Sequence, residues 1–242
     1  MKIYKVLVSK KELESLPEIE LNFFIQACRM LNEINILHKI TTFSNKESKS
    51  DAERRAQNSQ SLSLLTILAG KLYEGWVLLE KIYFGAKLSK AYHSLLPSEA
   101  VNSLNNLKFY FGKSDNLVKK VRNQIAFHYD SLEILEQFRK APQDQVFEIY
   151  LSEYQGNCCY FMSNVLLLDA ILEWTGISDP LKATDTFFKE VLSAARWFIE
   201  FLNHCLVTFA KNNIEWDLEE IEIPDPPNIA EVAIPYFVAK PK

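Results

Sequence analysis

From Leu62 to Tyr83 the apolar residues return every three or four positions: Leu62, Leu65, Ala69, Leu72, Trp76, Leu79 and Tyr83. That spacing matches the turn of an α-helix and lines these side chains along one stripe. Leu64, Ile67, Leu68, Val77 and Leu78 widen the stripe, so the helix must be covered on most sides and belongs at the centre of the fold. Gly85 is placed to end it. A central helix of this kind commits the chain to helix-on-helix packing. The 242 residues include only 6 glycines and 9 prolines, too little punctuation for many short strands and turns. With 48% hydrophobic residues the chain can bury one good core. The expected fold class is all-α, a multi-helix bundle.

The remaining elements follow from capping and turn chemistry. Ile3, Tyr4, Val6, Leu7 and Val8 have the composition of a short edge strand. Ser9 with Glu12 reads as a capping box, as does Ser15 with Pro17 and Glu18. A helix is expected over about 17–43, with Leu21, Phe24, Ile25, Cys28, Leu31, Ile34 and Leu37 on its apolar positions. Residues 44–58 are polar and charged, and read as a loop plus the first turn of the next helix. Arg54 and Arg55 within them have the reach to meet a phosphate. Ser98 begins a shorter helix through Val101, Leu104, Leu107 and Phe111, stopped by Gly112. Ser114 is the expected cap of a helix spanning about 114–140, with a break, before Pro142. Around Gln155-Gly156-Asn157, residues 146–161 are β-branched and aromatic and predict a small β-hairpin. Helices over about 162–175 and 180–212 follow, separated by Gly176 and Pro180. Residues 1–213 are thus expected to form a single helical domain. The acidic, proline-rich stretch 214–242 is expected to be an extended C-terminal arm, laid on the body or loose.

Charge and cysteine usage exclude several classes. The formal net charge is −4, whereas a general nucleic-acid coat protein would be basic. Contact with a polyanion must therefore come from a local patch. Cys28, Cys158, Cys159 and Cys205 form no C-x-x-C pair, so neither a zinc ribbon nor a disulfide scaffold is indicated. Cys158-Cys159 beside aromatic residues reads as a buried strand. His38, His93 and His204 lack metal-ligand spacing. No P-loop, dinucleotide fingerprint or nucleophile elbow occurs. Met1 to Pro17 has no apolar core of a signal peptide. Lys71, Glu74, Asp169 and Glu173 interrupt the most apolar stretches, which argues against a membrane span. The expectation is a soluble cytoplasmic protein with no membrane contact. Trp174, Trp197 and Trp216 read as packing residues.

Chemistry concentrates in Val121-Arg122-Asn123-Gln124-Ile125-Ala126-Phe127-His128-Tyr129-Asp130. Arginine holds phosphate through a planar fork of donors, and histidine moves protons near neutral pH. Lys113, Lys119 and Lys120 give this stretch a basic edge. On an ideal helix Val118, Val121, Ile125 and His128 share a stripe, while Arg122 and His128 lie roughly 120° apart about the axis. One straight helix would not aim both at one phosphate. Either the helix bends or ends near Phe127, or the stripe packs near a twofold axis and two copies line one cleft. The same residues also suit a structural role: a histidine packed against a carbonyl or carboxylate, with Asn123 and Asp130 as helix-end groups.

Arg122-Asn123, followed by four residues and His128, resembles the R-x(4–6)-H motif of the HEPN superfamily. RNQIAFHYD, together with the earlier LAGKLYEGWVLLEKIY, is similar to the abortive-infection branch of that superfamily. The likeness in arrangement covers about residues 18–212, and only the ten-residue motif is specific. The resemblance implies a HEPN-type helical bundle that dimerises with its motifs meeting at a cleft. It implies a metal-independent endoribonuclease, in phage defence or a toxin–antitoxin system, with RNA as substrate and an antitoxin or regulatory protein as further partner. No cofactor and no metal are implied. Arg122 would stabilise the scissile phosphate, and His128 would act as general acid or base in attack by the 2′-hydroxyl. Asn123 would orient one of these groups. The products would be a 2′,3′-cyclic phosphate and a 5′-hydroxyl. Tyr129, Asp130 and the acidic residue Glu74, preferred over Glu80, would support the site, and Lys119 and Lys120 would bind RNA phosphate. In toxins silenced by a nucleotidyltransferase, a tyrosine two residues past the histidine is modified; Asp130 occupies that place here, with Tyr129 one residue earlier. Other members of the superfamily are non-catalytic modules that bind a nucleotide, which is the alternative expectation, together with binding of a protein partner.

Overall fold

The computed structural model describes residues 1–44, 48–129 and 132–239. They form α1 (Lys10–Glu14), α2 (Glu18–Ser44), α3 (Asp51–Leu78), α4 (Leu88–Tyr92), α5 (Ser98–Phe111), α6 (Leu117–Val121), α7 (Glu133–Lys140), α8 (Phe161–Thr175) and α9 (Pro180–Asn213). The fold is all-α, with one small antiparallel sheet of β1 (Lys2–Lys5) and β2 (Glu219–Glu222).

The chain divides into two units. The first contains residues 1–35, 74–113 and 194–232; the second contains 36–73, 114–193 and 233–242. In the first unit, the second half of the 62–83 stripe does what its spacing predicts: Trp76, Leu79 and Tyr83 are buried. α3 continues as a π-helix over Leu79–Phe84 before Gly85. Trp76 stacks on Phe111 with ring centroids 5.1 Å apart, and Tyr83 meets Phe23 at 5.6 Å and Phe201 at 5.3 Å. Such aromatic contacts add to the burial of large apolar surface. At Gly75 the Met30 sulfur packs directly against the helix backbone, in space a Cβ would otherwise take. Ser9 and Glu12 form the expected capping box on α1, but Ser15 is the C-cap of that helix.

The sheet joins chain segments far apart in sequence. Lys2 pairs with Glu222 and Lys5 with Glu219 in register. Side-chain ion pairs run from Lys2 to Glu220 at 2.7 Å and from Lys5 to Glu219 at 2.5 Å. The acidic part of the C-terminal arm is therefore a strand edge matched to a basic partner.

In the second unit, Leu62, Leu65, Leu68, Ala69 and Leu72 of α3 are buried, as are Leu117, Val118 and Val121 of α6 and Leu166, Ala170 and Ile171 of α8. α3 starts at Asp51, so the helical part of 44–58 is about two turns rather than the one first turn expected. Arg54 pairs with Asp51, and Arg55 pairs with Glu148 and lies over the Phe161 ring, so both have local partners in place of a phosphate. The hairpin at 146–161 is reduced to one bridge: Tyr150 and Cys159 exchange two backbone hydrogen bonds of 2.8 Å around a 3₁₀ turn at Gln155–Asn157. The end of the arm docks on this unit. Gln57 and Gln60 donate to the Ile234 carbonyl, the Tyr236 hydroxyl donates to the Cys158 carbonyl, and Asn157 exchanges two bonds with Val238.

By length and composition, the helical run Asp51–Phe84 is able to cross a membrane. In its most apolar window 56% of the residues are buried within the protein, as a core helix requires.

Candidate functional site

The motif segment belongs to the second unit. Its helix is broken within 114–140, and the break falls near Phe127, one of the two arrangements expected. Asn116, not Ser114, is the N-cap of α6: its side chain accepts from the Lys119 backbone N–H at 2.8 Å. The α-helical part lasts only to Val121. A π-helix then runs over Arg122–Ala126 and ends at Phe127, whose φ is −133° and ψ 15°. A π turn closes its hydrogen bonds one residue later than an α turn, so the regular stripe is lost at this point. The apolar row records the change: Val118 and Val121 are buried, Ile125 is half-buried, and His128 is exposed. His128 lies beyond the helix, its backbone N–H donating to the Ile125 carbonyl at 3.3 Å.

Where the segment ends, the Phe127 ring packs against a glycine on α3. A Cβ at Gly70 would come within 2.5 Å of Phe127 Cε2 and 3.2 Å of Ala126 Cβ. Gly70 therefore provides the space for the Phe127 ring beside the helix. The cost of a glycine inside a helix, about 1 kcal/mol relative to alanine, has a packing reason at this position.

Arg122 is half-buried and has its guanidinium carbon 5.6 Å from the centroid of the Tyr73 ring on α3. That is the geometry of a cation held over an aromatic face. Its Nη1 donates to Asn123 Oδ1 at 3.2 Å. Arg122 and Asn123 are thus joined, with the guanidinium supported from below by an aromatic ring. Tyr129 is fully exposed. Asp130 lies outside the described residues. Glu74 follows Tyr73 on α3 but falls in the first unit. Among the described residues, no group of three or more His, Cys, Asp or Glu is arranged to hold a metal.

Lys119 and Lys120 line a cleft of about 250 Å³ together with Ser114, Asn123, Gln124, Glu133 and Trp174. α6 and the π segment give the two cations and the two amides, α7 gives Glu133, and α8 gives Trp174. The resemblance gave Lys119 and Lys120 to RNA phosphate and Asn123 to orienting a catalytic group, and all three line this cleft. Sequence reasoning missed Trp174, a residue more than fifty positions away in sequence whose proximity depends on how α8 packs. α6 and α7 both contact α8. At the same end of α8, Glu173 receives hydrogen bonds from Gln137 and Lys140 of α7, each at 2.6 Å. Lys140 first, then Gln137, hold the Glu173 carboxyl below the usual carboxylate range.

A larger cavity, about 440 Å³, lies in the first unit and is lined by Lys5, Leu7, Val8, Ser9, Glu12, Glu215, Asp217 and Glu219. Its carboxylates make it unsuited to a phosphate. The smaller cleft is thus the better candidate for an anionic ligand.

Comparison with protein-family models, with curated proteins and with solved structures gave no match.

Proposed function

We propose that this chain is a metal-independent endoribonuclease of the HEPN type, acting in phage defence or a toxin–antitoxin system. The observation that carries the reading is the arrangement at the π segment. Arg122 is bonded to Asn123, Lys119 and Lys120 stand in the adjoining cleft, and the helix ends at Phe127 so that His128 is exposed beyond it. In this mechanism His128 moves the proton of the RNA 2′-hydroxyl or of the leaving 5′-oxygen. The 2′-oxygen attacks the adjacent phosphorus, the bond to the 5′-oxygen breaks, and a 2′,3′-cyclic phosphate and a 5′-hydroxyl result. Arg122 stabilises the extra negative charge on the phosphoryl oxygens. DNA lacks the attacking hydroxyl and is not cut.

The working form in this proposal is a homodimer. Phe127, Tyr129, Leu132, Leu135 and Phe138 are exposed around the motif and onto α7, and an apolar surface of this kind is suited to a protein contact. An antitoxin or regulatory protein would meet the same region.

One observation favours a second reading, a non-catalytic module that binds a nucleotide or protein partner. The residues lining the 250 Å³ cleft do not include Arg122 or His128. A nucleotide held there would not by itself require chemistry.

The test is incubation of the purified protein with total and transfer RNA in EDTA, beside Arg122→Ala and His128→Ala. Cleavage that persists in EDTA, leaves cyclic-phosphate ends and is lost in both variants is expected. Unchanged cleavage by His128→Ala, or ends without cyclic phosphate, would refute the mechanism. Nucleotide binding without cleavage of any RNA would favour the module.

A further inference from the structure

We infer that the cleft between the π segment, α7 and α8 is a base-reading subsite, with Trp174 as its stacking platform. The inference rests on the reading of the substrate as RNA and adds that the RNA must present an unpaired nucleotide. The cleft's chemistry is that of a single-stranded nucleic-acid site. An aromatic face accepts any base, cations hold the flanking phosphate, and amides meet the base edge. All three are present: the half-buried Trp174, the half-buried Lys119 and Lys120, and the exposed amides of Asn123 and Gln124.

Size narrows the occupant. A volume of about 250 Å³ is below the usual range for drug-sized ligands, so the cleft takes a single base, with sugar and phosphate at its rim, rather than a run of nucleotides. A base inside a duplex is stacked on both sides and cannot reach an indole in a recess. Loops, bulges and free ends can.

Position ties the subsite to the motif. Asn123 lines the cleft and also accepts from Arg122. A nucleotide stacked on Trp174 therefore has its phosphate beside the residue that steadies the Arg122 guanidinium. The bonds that Gln137 and Lys140 make to Glu173 tie α7 to the end of α8 that carries Trp174. Trp174 acts here in specificity, not in the chemical step.

The experiment is a fluorescence titration of the full chain with adenosine 5′-monophosphate, adenosine and inorganic phosphate. It uses wild type, Trp174→Phe, Trp174→Ala and the surface double variant Lys119→Ala/Lys120→Ala. The monophosphate is expected to quench tryptophan emission saturably in wild type. In Trp174→Phe the quench is lost while binding, read by equilibrium dialysis, persists. Trp174→Ala is expected to bind about 5- to 150-fold more weakly, the range of one base–aromatic stack. The lysine variant, which disturbs no core residue, is expected to weaken the monophosphate and leave adenosine unchanged. A quench of equal size in Trp174→Phe would overturn the subsite, as would inorganic phosphate binding as tightly as the nucleotide. The two readings separate cleanly. Cleavage of RNA by wild type that is indifferent to Trp174→Ala and to base pairing removes the subsite and leaves the ribonuclease. Trp174-dependent binding with no cleavage in EDTA leaves the subsite and removes the ribonuclease.

Discussion

At the residue scale the motif depends on a position that carries no functional group. Gly70 makes room for Phe127, and the competing effects of filling that space can be weighed. Alanine in a helix interior is favoured over glycine by about 1 kcal/mol. Forcing a methyl group into a packed site costs about 1–3 kcal/mol when nothing can move. Here the nearest atoms are the far end of the Phe127 ring, and that residue is 48% exposed. The ring can swing aside, so the packing cost falls to the low end and the two effects nearly cancel. Gly70→Ala is therefore expected to leave the melting temperature within a few degrees of wild type, while displacing Phe127 and the chain leading to His128. If the proposed ribonuclease reading holds, RNA cleavage is expected to drop at least tenfold. A thermal melt beside a cleavage assay checks this; a normal melt with normal cleavage would mean that the position of Phe127 does not matter to the site.

At the element scale the helices and the break near Phe127 were legible in the sequence, while the form of that break and the start of α3 were not. α2, α5, α8 and α9 begin and end within a residue or two of the positions that their apolar spacing and flanking proline or glycine dictate. Gly176 sits at φ 66°, where a glycine costs least, and stops α8. The failures share a cause. The π turn at Arg122–Ala126 keeps helical residues in a helical stretch, so no composition signal marks it. The Phe127 ring at its end packs against Gly70, fifty-seven positions away in sequence. The start of α3 was hidden because polar residues suit an exposed first turn as well as a loop. Trp174 was read as packing because a tryptophan near the end of an apolar helix usually is. The bond set on Glu173 fixes α7 against α8 and gives a pH test. The Glu173 carboxyl is held low, chiefly by Lys140, so its contribution is present above the ordinary carboxylate pKa of about 4.3. That contribution is lost as pH falls through the lowered value. Lys140 is raised, chiefly by Glu173, so its contribution persists until pH passes its own raised value. Hydrogen exchange of α7 amides, corrected for intrinsic rates, is expected to be faster in Glu173→Gln than in wild type at pH 7. The two should converge as the medium becomes acidic enough to protonate Glu173. A difference that persists unchanged in acid would show that charge on Glu173 does not hold the helix.

For the whole molecule the decisive quantity is where the charge sits. Asp and Glu number 31 against 27 Lys and Arg, so at long range the protein repels a polyanion. On the proposed function, binding of RNA must then come from a few cations acting at contact, and the salt dependence counts them. For single strands, log K falls against log salt with a slope of about −0.7 for each phosphate neutralised. If Lys119 and Lys120 alone meet phosphate, the slope is about −1.4; with Arg122 it is about −2.1. Raising salt from about 50 to 200 mM should then weaken binding about 7- to 18-fold, far less than the losses of about 10³–10⁵ typical of proteins that coat nucleic acid through many contacts. Lys120→Ala is expected to lower the magnitude of the slope by about 0.7 and to weaken binding. The measurement is a titration of a 2′-deoxy oligonucleotide, which carries the phosphates but not the attacking hydroxyl, at four salt concentrations. A slope steeper than about −4 would place the polyanion on a surface other than this cleft, because no more than a few cations stand there. A slope near zero in a protein that still binds the oligonucleotide would mean that stacking on Trp174, and not phosphate, provides the affinity.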